Sequence, residues 1–324
     1  MIYKPIIIVA GEPNSIFLEI FFKALTFKNF KSPIILIASL NLLKLQMKKL
    51  NIKKNIKLLN FIKLEKYKLN NKSINLININ YSTKKPFENV SSKSNHYIEQ
   101  SFEVAIKILQ KKITNKFING PISKKFFLKK KFLGITEYLS NKTNTKNFAM
   151  LIYNKNLSVC PITTHLPLKR VSKKINKKLI IQKIKLINGF FKKYIRKKPN
   201  IAITGLNPHC ETIDSFNEDQ KILKPTIKYL SKLKYKVSGP FAADTIFLKK
   251  NRKKYDVIVG MYHDQVLTPI KTLFEYDAIN ITLGLPFIRI SPDHGPNNQM
   301  LGKNKSDPTS LIEALIFLKK INEN

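Results

Sequence analysis

Short runs of β-branched and other apolar residues recur along this chain, and each stops abruptly at a polar loop before helical periodicity begins. Lys4 to Ala10 ends at Gly11-Glu12-Pro13-Asn14-Ser15, after which Ile16, Ile20, Phe21 and Leu25 fall on one helical face. Pro33 to Ala38 is followed by Leu40 to Leu50 with the same helical spacing. Strand, loop, helix and strand again is the rhythm of a layered α/β protein, and it predicts a parallel sheet. Residues 51–95 are dominated by Lys, Asn and Ser and keep only weak periodicity, which predicts short strands, loops and a solvated surface. From Tyr97 the pattern sharpens. Phe102, Ala105, Ile106 and Leu109 make a helix face, and Lys116 to Asn119 reads as a strand stopped by Gly120-Pro121. Further strands are expected at Phe148 to Tyr153, Leu157 to Thr163, Ile201 to Thr204, Val257 to Gly260 and Ala278 to Leu283. A long basic helix from Ser172 to Tyr194, one near Asn217 to Leu233 and a closing one near Thr309 to Ile321 complete the pattern.

A chain of 324 residues, 43% of them hydrophobic, can bury a large core and exceeds the usual length of one domain, so two domains or a deep cleft are expected. No apolar run reaches the ~18 to 20 residues that span a bilayer, and Ile6 to Ala10 is too short for a signal-peptide core. No membrane partner is therefore expected, and a cytoplasmic location is. The two cysteines, Cys160 and Cys210, are far apart and form no C-x-x-C pair, which argues for buried, reduced thiols rather than a disulfide frame or a cysteine zinc site. A net charge of +39 raises nucleic-acid binding. Its lysines, however, are scattered among abundant Asn and Ile through every segment, as in Lys53-Lys54-Asn55-Ile56-Lys57. These are the residues that A- and T-rich codons encode, so no specific nucleic-acid partner is expected.

Ligands of open α/β sheets sit at the carboxyl ends of strands, and there this chain is rich in chemistry. Ile201 to Thr204 runs into Gly205-Leu206-Asn207-Pro208-His209, Val257 to Gly260 into Met261-Tyr262-His263-Asp264-Gln265, and another strand into Thr163-Thr164-His165-Leu166-Pro167. Three imidazoles in matching contexts could converge on a divalent cation with open positions for substrate, or each could be a satisfied loop histidine. The ten glycines are spaced so that neither G-x-G-x-x-G nor G-x-x-x-x-G-K-[ST] can be written. A Rossmann or P-loop nucleotide site is thereby excluded. Leu283-Gly284-Leu285-Pro286 and Asp293-His294-Gly295 are left as loops for a dinucleotide.

In chain order, Gly11-Glu12-Pro13, Asn119-Gly120-Pro121-Ile122, Thr136-Glu137-Tyr138-Leu139 and Thr163-Thr164-His165-Leu166-Pro167-Leu168 are followed by Gly205-Leu206-Asn207-Pro208-His209. Gly239-Pro240, Ala243-Asp244-Thr245, Tyr262-His263-Asp264-Gln265 and Thr282 to Gly295 come after them. Across nearly its whole length the chain resembles the 4-hydroxythreonine-4-phosphate dehydrogenase family of pyridoxal phosphate biosynthesis. The resemblance implies an α/β fold like that of isocitrate and isopropylmalate dehydrogenases: two α/β/α domains with an interdomain cleft. It places a nucleotide-side domain at 1–132 plus 284–324, and a metal, substrate and dimer side at 133–283. It implies a homodimer with shared active sites, a small phosphorylated hydroxy-acid substrate, NAD or NADP, and one divalent metal such as Zn, Mg, Co or Mn. His165, His209 and His263 match the metal ligands, and Ile135, Thr136, Lys271, Asn280 and Arg289 match positions that hold substrate. Gly284, Leu285, Asp293 and Gly295 match the cofactor side. Asp244, Asp264 and Lys271 are the catalytic candidates, the aspartates for proton transfer or for orienting a histidine. Asp244 has a second reading as the cap of a helix starting at Thr245.

Three positions depart from the family pattern. Ile135 stands where a substrate-binding histidine is usual and offers neither hydrogen bond nor proton. The glycine-rich stretch after His209 reads Cys210-Glu211-Thr212-Ile213-Asp214, so a different or stiffer loop path is expected. After Gly295 the small-residue and Asp pattern is replaced by Pro296-Asn297-Asn298-Gln299, which weakens the expected hold on the dinucleotide.

Overall fold

The computed structural model describes residues 3–27, 30–129, 131–275, 277–292 and 295–321. The chain divides into two compact units, Met1–Tyr138 with Pro286–Asn324, and Leu139–Leu285. The first begins with β1 (Ile6–Val9), α1 (Phe17–Phe27), β2 (Ile34–Ala38), α2 (Leu40–Lys49), β3 (Ile56–Leu58), β4 (Ile74–Asn78), α3 (Asn95–Gln110) and β5 (Lys116–Asn119). Helix α4 (Ile135–Lys142) leads onward to β6 (Ala149–Tyr153), β7 (Ser158–Thr163), α5 (Val171–Lys174), α6 (Lys177–Phe190) and β8 (Ile201–Thr204). Then come α7 (Lys224–Lys232), β9 (Val237–Phe241), α8 (Ala243–Ile246), α9 (Lys249–Arg252), β10 (Val257–Tyr262), α10 (His263–Phe274) and β11 (Ile279–Leu283). The chain returns to the first unit with β12 (Ile288–Pro292) and α11 (Thr309–Lys320).

Strands of the first unit run in the order β3-β4-β2-β1-β5-β12, and every one of these pairings is parallel. A parallel sheet is covered on both faces, which is why β1 and β2 are apolar and buried at every position. Helix α3 packs on β1 and β2, and α11 on β12 and α1. Phe102 of α3 meets Phe117 of β5 edge to face, with ring centroids 6.2 Å apart. Each such side chain contributes about 1.5–3 kcal/mol on leaving water. The stretch 51–95 supplies the outer strands β3 and β4, and asparagines rather than apolar periodicity fix it. Asn71 Nδ2 donates to the carbonyls of Phe30 and Ser32 while its Oδ1 accepts Ile34 N–H, and buried Asn75 donates to the carbonyls of Ile34 and Asn70.

Strands of the second unit run β11-β6-β7-β10-β8-β9, with β7, β10, β8 and β9 mutually parallel. The expectation of a parallel sheet needs correction at β6, which is antiparallel to both β7 and β11. The cause is local: only four residues join β6 to β7, a span that permits a hairpin but no crossover. Asn154 makes that turn by accepting Asn156 N–H at 2.9 Å. Ile152, Val159, Ala202, Ile258, Val266 and Ile270 pack one core between this sheet and α10. The predicted helix from Ser172 to Tyr194 is broken at Ile175, where extended Asn176 caps α6 by accepting Leu179 N–H. Both cysteines are free and buried, and burial pushes the Cys160 thiol up to about 12. Among the described residues no helix is long and apolar enough to cross a membrane.

Candidate active site

Among the described residues, three histidines sit where adjacent parallel strands end. Strand β10 lies between β7 and β8, with Tyr262 level with Thr163 and Val259 level with Ile203. His165 follows β7 by two residues, His209 follows β8 by five, and His263 follows β10 directly as the first residue of α10. A loop between β10 and α10 was expected; instead the strand runs on to Tyr262 and the helix starts at once. The structure brings the His165 and His263 rings together, centroids 5.8 Å apart and planes tilted by 38°. His263 Nδ1 lies 2.6 Å from Asp264 Oδ1. An ionised carboxylate can only accept there, so Nδ1 carries a proton, and Nε2 is the ring nitrogen left to meet a ligand.

His209 is exposed on a loop of unusual backbone, for it has φ +54° and Cys210 has φ +63°. Left-handed conformations at residues with a Cβ persist only where the surroundings hold them. Asp219 does the holding. Its fully buried carboxylate accepts the N–H groups of Leu206 and Asn207 at 2.8 and 3.1 Å, and the Asn207 side chain at 3.0 Å. The loop thus keeps a glycine-like turn although Cys210 stands in it. Among the described residues no three His, Cys, Asp or Glu side chains gather closely enough to hold a metal within one chain. Two imidazoles side by side, one bonded through Nδ1 to a carboxylate, are nevertheless a donor pair suited to a divalent cation. His209 reaches the same sheet edge from the neighbouring strand.

Of the other candidates in this unit, Asn280 lies on β11 level with Ile152, and its buried Oδ1 accepts no hydrogen bond from the described residues. Lys271 is exposed on α10. Asp244 is exposed in the first turn of α8, the helix after β9, whose Ile246 packs into the same core as Val159 of β7 and Ile258 of β10. It does not cap a helix starting at Thr245: α8 begins at Ala243, Ala242 occupies the cap position, and no side chain caps it. Gly284 has φ +95°, and a Cβ there would come within 2.2 Å of the Asn147 carbonyl, so the backbone itself requires glycine. Half-buried Leu285 follows it.

In the first unit the focal residue is Arg289 on β12, fully buried. Its Nε donates to Asn119 Oδ1 at 2.6 Å, and its Nη1 lies 3.5 Å from Thr136 Oγ1 in the first turn of α4. Burial pulls the guanidinium down to about 9, opposed by the negative charge of Glu137, and it stays cationic at neutral pH. Ile135 is half-buried at the head of α4 beside Thr136. A helix start above a buried cation is a place for an anion. Gly295 is exposed with open space around it, and Asp293 lies outside the described residues. The loop after it is tied to α1: Ile16 N–H donates to Pro296 O, and buried Glu19 accepts Ser306 N–H at 2.8 Å and pairs with Lys23 at 3.1 Å. Sequence reasoning missed the anchoring residues Asp219 and Glu19. Both are acids inside predicted helices of a lysine-rich chain, and that scarcity was the available signal.

Fold and site together define a two-unit α/β protein of the dehydrogenase type, with its polar groups at strand carboxyl ends. A β-decarboxylating dehydrogenase of Thermococcus kodakarensis shares that architecture at a TM-score of 0.53 and 10% identity, over 97% of this chain and 81% of that one, a likeness of fold alone. Residues 29–317 match the family model described as pyridoxal phosphate biosynthetic protein PdxA, and the chain belongs to that family. A curated relative named 4-hydroxythreonine-4-phosphate dehydrogenase, from Sulfurihydrogenibium sp. (strain YO3AOP1), is 44% identical over 229 residues, 68% of this chain and 70% of that protein. The solved structure of 4-hydroxythreonine-4-phosphate dehydrogenase from Klebsiella pneumoniae matches at a TM-score of 0.83 and 26% identity, over 98% of each chain.

Proposed function

We propose that this protein oxidises 4-phosphooxy-L-threonine with NAD or NADP and releases carbon dioxide, giving 3-amino-2-oxopropyl phosphate for pyridoxine 5'-phosphate synthesis. The observation that carries the reading is the His165–His263 pair at the ends of β7 and β10, with His209 at the end of the adjoining β8. His165, His209 and His263 hold one divalent cation (Zn, Mg, Co or Mn), the set being completed across a homodimer. When bound, the cation supplies a Lewis acid and the nicotinamide a hydride acceptor. Asp264 holds the His263 ring through Nδ1, which leaves Nε2 as the nitrogen that would meet the cation. Arg289 with Thr136 holds an anionic group of the substrate, phosphate or carboxylate, at the head of α4. Asn280, with its free acceptor, takes a donor of the substrate, and Lys271 adds a point charge. Asp244 and Lys271 remain the candidates for moving the proton lost from the hydroxyl and returning it to carbon after decarboxylation. Gly284 and Leu285, with Gly295 and Asp293, border the dinucleotide.

Purified protein given 4-phosphooxy-L-threonine, NAD and a divalent salt should form reduced nicotinamide and carbon dioxide in equal amounts. A chelator and His263→Ala should each reduce the rate by at least a hundredfold. Faster turnover of threonate 4-phosphate, or full activity in the chelated protein, would overturn this assignment.

A further inference from the structure

The side chain of Gln265 makes three hydrogen bonds that join two strands. Its Oε1 accepts Met261 N–H at 2.6 Å on β10, the strand that leads into its helix α10, and the Thr204 hydroxyl at 2.9 Å on β8, while its Nε2 donates to Gly205 O at 2.8 Å. Thr204 and Met261 are fully buried, so these partners have no water to turn to. Gln265 stands two residues after His263, and Gly205 opens the loop that ends in His209. Gly260 makes room for this arrangement: a Cβ there would come within 2.4 Å of Val266 and 3.1 Å of Gln265 Oε1.

We propose that Gln265 is a positioning residue for the reaction, an amide clamp that sets the His209 loop against the head of α10 carrying His263. The proposal rests on the ligand reading above, since it concerns how two of those histidines are held relative to each other. A competing role is local. A glutamine in the first turn of a helix can reach back to an orphan N–H, and here Tyr262 provides no side-chain cap. The two roles need different atoms. Capping uses only the acceptor oxygen, which glutamate keeps and which the helix dipole favours when charged. The bond to Gly205 O needs the amide N–H, which an ionised carboxylate lacks; Gln265→Glu therefore preserves the cap and sets a carboxylate against a carbonyl.

The test uses the full chain without added metal first. The imidazole C–H resonances of His165, His209 and His263 are assigned by single substitution and compared in wild type, Gln265→Glu and Thr204→Val. The clamp predicts that Gln265→Glu moves the His209 signal and that Thr204→Val, on the opposite strand, moves the His263 signal, with thermal midpoints changed by only a few degrees. Unmoved His209 in Gln265→Glu, or unmoved His263 in Thr204→Val, overturns the proposal, and the valine variant answers if the glutamate variant does not fold. Titration with Co²⁺ alone then separates the two layers. Outer partners of metal ligands typically change affinity by about 10–100-fold, so Gln265→Glu should weaken Co²⁺ binding by at least about tenfold. Wild-type Co²⁺ affinity in Gln265→Glu beside lost binding in His263→Ala sinks the clamp alone. Wild-type affinity in His263→Ala sinks the ligand reading, leaving the clamp to be judged on the resonances.

Discussion

Ile135 is the residue where chain and chemistry meet least comfortably. It stands half-buried at the head of α4, next to the Thr136 hydroxyl that lies 3.5 Å from buried Arg289. A histidine is usual at this place in the family, and a charge-assisted hydrogen bond to a substrate anion contributes about 1.5–3 kcal/mol. Converted at a factor of ten per ~1.4 kcal/mol, its absence weakens transition-state binding by about ten- to a hundredfold. Arg289 still offers the anion a positive charge, so the enzyme is expected to be slow rather than inactive. Ile135→His should therefore raise kcat/KM for 4-phosphooxy-L-threonine by up to about a hundredfold. If the histidine variant is no better, Ile135 packs against the substrate in a way the family histidine does not. The Ile135 departure was legible from residue type alone. The burial of Arg289, and the pull of Glu137 on it, were not, because both depend on what β12 and α4 place around the guanidinium.

At the scale of elements, loops after strands are set by a few buried polar groups. Glu12, in the loop after β1, is 1% exposed; its Oε1 accepts Asn14 N–H at 3.2 Å and its Oε2 the Ser94 hydroxyl at 3.1 Å. Asn14 in turn accepts Glu88 N–H at 2.8 Å, so one acid joins β1, the residue before α3 and the segment after β4. Burial raises the Glu12 carboxyl above its usual value, outweighing the bonds from Asn14 and Ser94 that lower it. The folded protein thus binds this proton more tightly than the unfolded chain. The contribution is fully present below the unfolded value, near 4.5, and is lost as pH rises through the raised folded value. Denaturant unfolding of wild type and Glu12→Gln should show a flatter pH dependence in the variant as pH rises from the unfolded value of 4.5 through the raised folded one. Parallel curves would mean that Glu12 does not titrate in that window. Sequence periodicity found most of the elements this loop connects. It found β6 and β7 but not their antiparallel pairing through a turn asparagine, and it ran on through the Ile175 break, where a capping asparagine overrides the apolar pattern.

For the whole molecule, charge and exposed apolar surface pull in opposite directions. Leu168, Ile213, Phe216 and Leu248 are exposed in the segments that follow β7, β8 and β9. Exposed apolar groups of this size suit a protein partner, and the proposed homodimer supplies one. A net charge of +39 on each copy opposes that association through repulsion that salt screens. Sedimentation at micromolar concentration should therefore show a species of twice the 37.5 kDa chain mass, with the dimer tighter at physiological than at low salt. Ile213→Asp should shift it toward monomer and lower activity in parallel. Full activity from a demonstrated monomer would end the shared-site reading.

The sequence by itself determined the alternation of strand and helix, the exclusion of Rossmann and P-loop nucleotide sites, and the delivery of His165, His209 and His263 to strand ends. Each of these is written in windows of a few residues: apolar period, turn chemistry and glycine spacing act locally. Tertiary structure alone decided that β10 lies between β7 and β8, which sets two of those histidines ring to ring and gives Gln265 partners on a strand some sixty positions earlier. It also decided that Asp219 would brace a left-handed loop and that Arg289 would be buried. Such arrangements depend on strand order and on which polar groups burial forces to find partners, and no short window of sequence encodes either.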